Sequence, residues 1–591
     1  MEKSIETIQH RGPDEEGFFL SPNCVLGMCR LAIIDVSDGQ QPNYNQDKSV
    51  ISVFNGEIYN FAQLRELLLS KGHRVGGIGD ASLIPHLYEE FGSHFPSKLQ
   101  GMFAIALYDS KLNKLILIRD RLGKKPLWYS NKGRAIYFSS EVKGLLALGI
   151  AKDFNRSVIP EFLRYGYINS PRSAFEGVNQ LPPASILTYE GGKERIEEYW
   201  NPSNVEQIHI SFEEAKEETF SLLQKAVATR LISERPIGAF LSGGIDSTIV
   251  TALMQRESTG PVNSYSIGFT DLKFDESRHA KLVANSIGSI HHEKIIEADP
   301  FLVIDSLARL IDHPFADSSI IPTFLLSKFA RESVVVAISG DGGDESFAGY
   351  ERYRVAKVLD GLNPLLVANP MQRLNLERIS NQRIRKLLKH SRFQPLPNRY
   401  QGFQSLFQDQ DLSSIVKPEI LEGAHADHFM SVWNSIPTTD KIRKMQEVDI
   451  RTYLPGDLMY KVDLASMAVG LEVRSPFLDY RIVEFGLSLP STFKIRGENK
   501  HILREIARDL VPAKLIDRPK MGFGIPRARW LREELRQIVR DVLLDSRCES
   551  RGWFEFEQLK KLIIRHDEGI DLDYLIWPMF MLELWAKNWI D

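Results

Sequence analysis

Leu241-Ser-Gly-Gly-Ile-Asp-Ser247 is the stretch on which the reading of this chain turns. It follows an apolar run, Ile237-Gly-Ala-Phe240, with the character of a buried strand, and runs into Thr248-Ile-Val-Thr-Ala-Leu-Met254, with the character of an apolar helix. A small-residue loop between strand and helix turns backbone N–H groups outward. The helix N-terminus adds partial positive charge in the same direction, so a phosphate is the natural guest. Ser242 and Ser247 supply hydroxyl donors, and Asp246 is a candidate ligand for a nucleotide-borne Mg²⁺. No Lys follows the glycines, so this is not a G-x-x-x-x-G-K-[ST] loop. The residues alone also fit a glycine turn ahead of an N-capped helix.

Outward from this stretch the pattern repeats. The strand-like run Val334-Val-Val-Ala-Ile338 leads into Ser339-Gly-Asp-Gly-Gly-Asp-Glu345, whose glycines permit positive φ and close backbone approach. Its three acids, Asp341, Asp344 and Glu345, repel one another unless a cation or hydrogen-bond donors sit among them; a solvated acidic turn is the alternative reading. A third segment, Arg518-Pro-Lys-Met-Gly-Phe-Gly-Ile-Pro526, sets Lys520 in a Gly/Pro-rich loop, where a cation stabilises developing charge or simply lies at the surface. Two glycine turns after two buried strands predict a shared nucleotide cleft at the strand ends of a parallel sheet.

At 591 residues the chain exceeds one core, and two to four domains are expected. A net charge of -4 argues against a nucleic-acid or membrane-surface binder. Cys24, Cys29 and Cys548 fit neither a zinc nor a disulfide framework, and with no apolar run of membrane-span length and no hydrophobic leader a reducing cytoplasm is expected. Residues 1–150 read as an α+β mixture, with strands at Leu31–Ile34, Val50–Phe54, Met102–Tyr108 and Leu115–Ile118 and helices at Ala62–Leu69 and Leu83–Phe91. Residues 151–205 read as a connector, marked by Pro160, Pro171, Pro182, Pro183 and Pro202. From 206 to 591 strands at Ile237–Leu241, Val262–Phe269 and Val334–Ser339 alternate with helices, and the chain from about 352 is mostly helical.

The first of these loops resembles the pyrophosphate loop of the ATP pyrophosphatases. Together with Tyr265-Ser-Ile-Gly-Phe269, Phe274-Asp-Glu276, Lys461-Val-Asp-Leu-Ala-Ser-Met467 and Glu472-Val-Arg-Ser-Pro-Phe-Leu-Asp479, the segments resemble, in order, the synthetase domain of the glutamine-dependent asparagine synthetases. His10-Arg-Gly-Pro-Asp14, Arg30-Leu-Ala-Ile-Ile34, Asn55-Gly-Glu-Ile-Tyr-Asn60 and Arg119-Asp-Arg-Leu-Gly123 resemble that family's class II glutaminase domain. The fold so implied is an N-terminal-nucleophile αββα sandwich, here expected to be truncated at its N-terminus and to lack its first strand, followed by an α/β parallel-sheet ATP-pyrophosphatase domain with a helical C-terminal part.

The resemblance implies an ATP-dependent carbon–nitrogen ligase. Aspartate attacks the α-phosphorus of ATP, pyrophosphate leaves, and ammonia drawn from glutamine displaces AMP to give asparagine. It implies that Leu241, Ser242, Gly243, Gly244, Asp246, Ser247, Ile267, Ser339 and Gly340 bind ATP and pyrophosphate. Asp246 and Asp344 would hold Mg²⁺, and Asp341 and Lys520 would serve the adenylate. Arg30, Ile33, Asn55, Gly56, Glu57 and Asp80 would bind glutamine, with Asn55 and Gly56 as oxyanion hole. Asn-Gly is also a strong hairpin-turn signal, the reading the residues favour on their own. The expected partners are small molecules, with neither nucleic acid nor membrane, and a homodimer is the candidate assembly. A relative amidating another carboxylate, such as a sugar acid or peptide, and a non-catalytic scaffold are the alternatives.

One departure stands out. The family's glutaminase starts with a Cys whose thiol attacks the amide while its own α-amine serves as base. This chain begins Met1-Glu2 and reaches His10-Arg11-Gly12 too soon for that segment. The expectation is a misplaced start or a lost glutaminase, with Cys24 and Cys29 unable to offer a free α-amine.

Overall fold

Strand pairing in the first 200 residues follows the two-residue alternation of the sequence. The structure is a computed structural model and describes residues 1–269, 271, 275–296, 300–362, 395–517 and 524–591. Its first strands are Glu15–Leu20 (β1), Val25–Arg30 (β2), Asn43–Tyr44 (β3), Val50–Ile58 (β4), Gly101–Asp109 (β5) and Lys114–Arg119 (β6). Trp128–Lys132 (β7), Ala135–Ser139 (β8), Asn179–Gln180 (β9), Ser185–Glu190 (β10) and Lys193–Glu198 (β11) follow. The main sheet is antiparallel and six-stranded, in the order β11-β10-β6-β5-β4-β3.

In β5, Phe103, Ile105 and Leu107 face the helices Phe61–Ser70 and Ile84–Phe91 through Leu64, Leu68, Ile84 and Leu87. Ala104, Ala106 and Tyr108 face the other way, onto Leu26 and Met28 of β2 and Tyr129 of β7. Beyond β2 and β8 lie the helices Glu2–Ile8 and Val142–Ala147, so the layers run helix, sheet, sheet, helix. The layer that holds β2 and β8 is made of two separate pieces, β1-β2 and β8-β7-β9.

Two expectations are corrected here. Leu31–Ile34 is not a strand. The Arg30 guanidinium bonds the carbonyls of Ile34 (3.0 Å) and Asp35 (2.8 Å) and so wraps the chain around itself. The apolar side chains of this run instead enter the core of the second domain beside Val336 and Phe477. Residues 151–205 are not a bare connector either, because β10 pairs with β6 and carries the first domain's sheet to residue 198.

The second sheet is built from Ile237–Phe240 (β12), Asn263–Phe269 (β13), Ile290–Ile296 (β14), Val336–Ile338 (β15) and Glu472–Arg474 (β16). All its pairs are parallel, in the order β14-β13-β12-β15-β16. The chain winds outward from β12 in one direction and then from β15 in the other. The gap between the ends of β12 and β15 is therefore a topological switch point, where such sheets bind ligands. The expected strands at 237, 262 and 334 are all present. The described chain after residue 351 is mainly helical and ends in the nearly all-round buried helix Asp573–Trp589.

Buried charges join the domains. Arg11 of the first binds Glu141 (2.8 Å) and also Asp463 of the second (2.7 Å), and Arg474 of β16 binds Glu57 of β4 (2.7 Å).

Candidate active site

The 241–247 loop leaves β12 and enters the helix Ile245–Glu257 at the switch point. Leu241 is buried and its N–H donates to the Tyr265 carbonyl (3.0 Å), which holds the loop against β13, the strand of Ile267. Gly243 has φ +73°, and a Cβ there would sit 2.6 Å from His279. Only glycine gives both that backbone and that clearance. Ser242 Oγ accepts the Gly244 N–H (3.2 Å) and lies 3.1 Å from Ser247 Oγ, so both hydroxyls gather at the helix N-terminus.

The 339–345 loop lies directly against this one. A Cβ on Gly340 would be 2.7 Å from the Ser247 backbone nitrogen, and one on Gly343 would be 2.4 Å from Asp246 Oδ1. Ser339 Oγ donates to Asp341 (2.8 Å). Burial, more than any neighbour, raises the Asp341 carboxyl, while Ser339 and Lys461 oppose it. Glu345 is pushed up to about 7 by burial and then by Asp344, against the Tyr350 hydroxyl that bonds it.

The cation that these acids call for is Lys500, which the sequence did not single out. Its ammonium reaches Asp344 Oδ1 (2.8 Å) and bonds Asp246 Oδ2. Burial works against this charge, and Asp246 and Asp344 together outweigh it, holding the ammonium above the ordinary lysine range. The residue is 5% exposed and sits in the left-handed region, φ 56° and ψ 36°. Strain of this kind costs about 1–2 kcal/mol in a non-glycine residue and persists only where surrounding structure imposes it. Lys520, the expected catalytic cation, lies outside the described residues.

In the first domain, Arg30, Ile33, Asn55, Gly56, Glu57 and Asp80 all line one cavity of about 650 Å³. Asn55 and Gly56 are not a hairpin turn. They lie inside β4 opposite Ala104 and Phe103 of β5, with Gly56 at φ +138° and no room for a Cβ beside the Met102 carbonyl oxygen. Asn55 Nδ2 is buried without a hydrogen-bond partner among the described residues. A donor left over in a cavity suits an incoming oxyanion. Asp80 accepts the Ile58 N–H (2.8 Å), and burial raises its pKa to about 6. Arg30 is held by Glu15 (2.8 Å). Facing edges of β2 and β8 border the same cavity, and Met467 and Glu472 of the second domain close it.

The cavity thiol is not activated. Cys29 Sγ donates to the Ile8 carbonyl (3.3 Å), and burial first of all raises its pKa to about 11. Burial likewise takes Cys24 to about 12. Among the described residues no helix is long and apolar enough to cross a membrane.

Comparison with known proteins matches these two halves separately. Residues 218–587 match the family model for asparagine synthase, and residues 1–200 match that for a glutamine amidotransferase domain. The chain is 32% identical over 614 residues to a putative glutamine-hydrolysing asparagine synthetase of Mycobacterium bovis, covering 100% of this chain and 93% of the relative. It is 29% identical over 586 residues to asparagine synthetase [glutamine-hydrolyzing] 1 of Bacillus subtilis, covering 98% and 92%. The amidase chyE of Penicillium rubens is 26% identical over 617 residues, covering 95% and 90%.

Proposed function

The chain belongs to the asparagine synthase family, and we propose that it is an ATP-dependent amide ligase that forms asparagine from aspartate and ammonia. The observation that carries this reading is the pairing of the 241–247 and 339–345 loops at the switch point, bridged by Asp246, Lys500 and Asp344.

The loop N–H groups and the hydroxyls of Ser242 and Ser247 bind the β- and γ-phosphates, with the helix N-terminus behind them. Leu241, Ile267 and Gly340 flank the adenosine. A carboxylate oxygen of aspartate attacks the α-phosphorus, and the P–O bond to pyrophosphate breaks. Lys500 stands where charge gathers on the departing pyrophosphate, and Ser339 and Asp341 lie beside the acyl-adenylate. Ammonia then attacks the acyl carbon, and AMP leaves with the oxygen that came from aspartate.

Two carboxylates reach one cation position, now filled by the Lys500 ammonium, and their oxygen-only donor set suits Mg²⁺. Asp246 and Asp344 would share that ion with the phosphates, and when bound it supplies charge neutralisation. The 650 Å³ cavity is the proposed glutamine site. There Arg30 and Asp80 receive the amino-acid end, and Asn55 and Gly56 the oxyanion. A cytoplasmic location and homodimeric assembly complete the proposal.

The reading is tested by following pyrophosphate with ATP, Mg²⁺ and ammonium while the acid is varied. Release with aspartate is expected. Release only with another carboxylate transfers the activity to that acceptor, and none with any acid rejects the ligase.

A further inference from the structure

Away from both sites, three side chains of the first domain converge without an assigned task. His73 follows the helix Phe61–Ser70, and His86 and Glu89 lie three residues apart on the helix Ile84–Phe91, hence on one face. The two Nδ1 atoms are 3.4 Å apart, and Glu89 Oε2 lies 3.6 Å from His73 Nδ1 and 3.9 Å from His86 Nδ1. All three separations exceed the usual 2.7–3.2 Å range of a hydrogen bond about. They are, however, the edges of a coordination polyhedron. The point equidistant from the corners of this triangle lies about 2.1 Å from each atom, where zinc stands about 2.0–2.2 Å from imidazole nitrogen and carboxylate oxygen.

Neighbouring groups direct the His73 and Glu89 atoms toward the cluster. Glu90 Oε2 lies 3.2 Å from His73 Nε2, which places the ring's proton on Nε2 and leaves the Nδ1 lone pair facing the cluster. Lys71 in turn holds Glu90 (2.6 Å). Asn45 Nδ2 lies 3.4 Å from Glu89 Oε1, and Oε2 is the oxygen near the imidazoles. The rings stand nearly perpendicular, at 86°. His86 is 2% exposed while the Glu89 side chain is 42% exposed, so the group has a buried floor and an open mouth. Carboxylate behind a histidine whose other nitrogen is free is the usual second layer of a zinc site.

We propose that His73, His86 and Glu89 bind a divalent ion of the zinc class, with Glu90 positioning His73 from behind. The ion joins the start of the 72–79 loop to the Ile84–Phe91 helix. The other end of that loop is already fixed, since Asp35 accepts the N–H groups of Ile78 and Gly79 (2.9 Å each). The loop delivers Asp80 to the 650 Å³ cavity, and the ion ties down the end of the loop that Asp35 does not hold. Two nitrogens and one carboxylate suit zinc, unlike the all-oxygen pair Asp246 and Asp344.

The test uses the untagged full-length protein, stripped with a chelator and titrated with Zn²⁺ alone against a chromophoric competitor. One tight equivalent per chain is expected. His73→Ala and Glu89→Gln each lower its affinity at least about tenfold, and Glu90→Gln by about 10–100-fold, as loss of an orienting partner does. Asp246→Asn leaves it unchanged. Zn²⁺ slows amide exchange across residues 72–79 in the parent and not in Glu89→Gln. Circular dichroism confirms that the variants are folded. Absence of a tight equivalent, or equal zinc affinity in the parent, His73→Ala and Glu89→Gln, overturns the proposal.

Discussion

Replacing Lys500 with Met keeps most of the unbranched apolar stem and deletes the ammonium between Asp246 and Asp344. One ion pair at 2.8 Å has a gross Coulomb attraction of about 6 kcal/mol at an effective dielectric of about 20. Desolvation offsets much of it, so the net loss on leaving the carboxylates without this counter-ion is about 3–5 kcal/mol. The transition state loses a positioned cation besides, worth about 2.7–4 kcal/mol, or about 10²–10³ in turnover. The two losses separate experimentally. Denaturant melts report the first, and pyrophosphate release per folded molecule at saturating ATP and Mg²⁺ reports the second. In an Asp246→Asn background the stability cost of Lys500→Met should shrink by about 0.5–3 kcal/mol, because the partners share one interaction. Lys500→Arg should not rescue turnover, since the stem is packed so closely that a Cβ on Gly349 would lie 2.1 Å from its Cε. A folded Lys500→Met protein with turnover within about threefold of the parent would refute the role given to this ammonium.

Other outcomes follow from the same geometry. Gly340→Ala forces a Cβ to within 2.7 Å of the Ser247 backbone nitrogen, so pyrophosphate release should fall at least about tenfold, with an unchanged KM arguing against the loop contact. Asp80 has a folded pKa of about 6, above its unfolded value, so its contribution to stability is fully present below about pH 4 and lost as pH rises through about 6. The swing is about 3 kcal/mol, and Asp80→Asn should flatten it in denaturant midpoints read across that range. With Cys24 and Cys29 both raised by burial, the 591-residue polypeptide should release no glutamate from glutamine. Glutamate release lost in Cys29→Ala would contradict that. Ammonium-dependent amide formation should rise with pH as free ammonia increases, and a flat profile would mean that NH₃ is not the nucleophile.

How far the sequence carried the account depends on where each contact lies along the chain. The loops at 241 and 339 were legible because strand, small-residue turn and helix are consecutive, and their backbone requirements show as glycines. The acid-rich turn called for a cation or hydrogen-bond donors among its carboxylates. That cation could not be located, because Lys500 follows the polar turn Gly497-Glu-Asn499 and reads as surface. A short hairpin, Ile495–Arg496 with Glu498–Asn499, brings it 254 residues back to Asp246. Leu31–Ile34 looked like a strand because periodicity does not distinguish burial in a sheet from burial against another domain. Asn55-Gly56 looked like a turn for a similar reason, since only the pairing of β4 with β5 shows that a positive φ occurs in mid-strand. His73 and His86 carry no spacing signal at all, and meet only because the loop between them folds back.

The central claim is that a carboxylate oxygen of aspartate becomes bonded to the α-phosphorus of ATP at the Asp246–Lys500–Asp344 bridge. Aspartate labelled with ¹⁸O in its side-chain carboxylate tests this directly, with the phosphate products analysed by mass spectrometry after turnover with ATP, Mg²⁺ and ammonium. The account predicts one ¹⁸O in AMP and none in pyrophosphate. Unlabelled AMP, or ADP with label in inorganic phosphate, would contradict it.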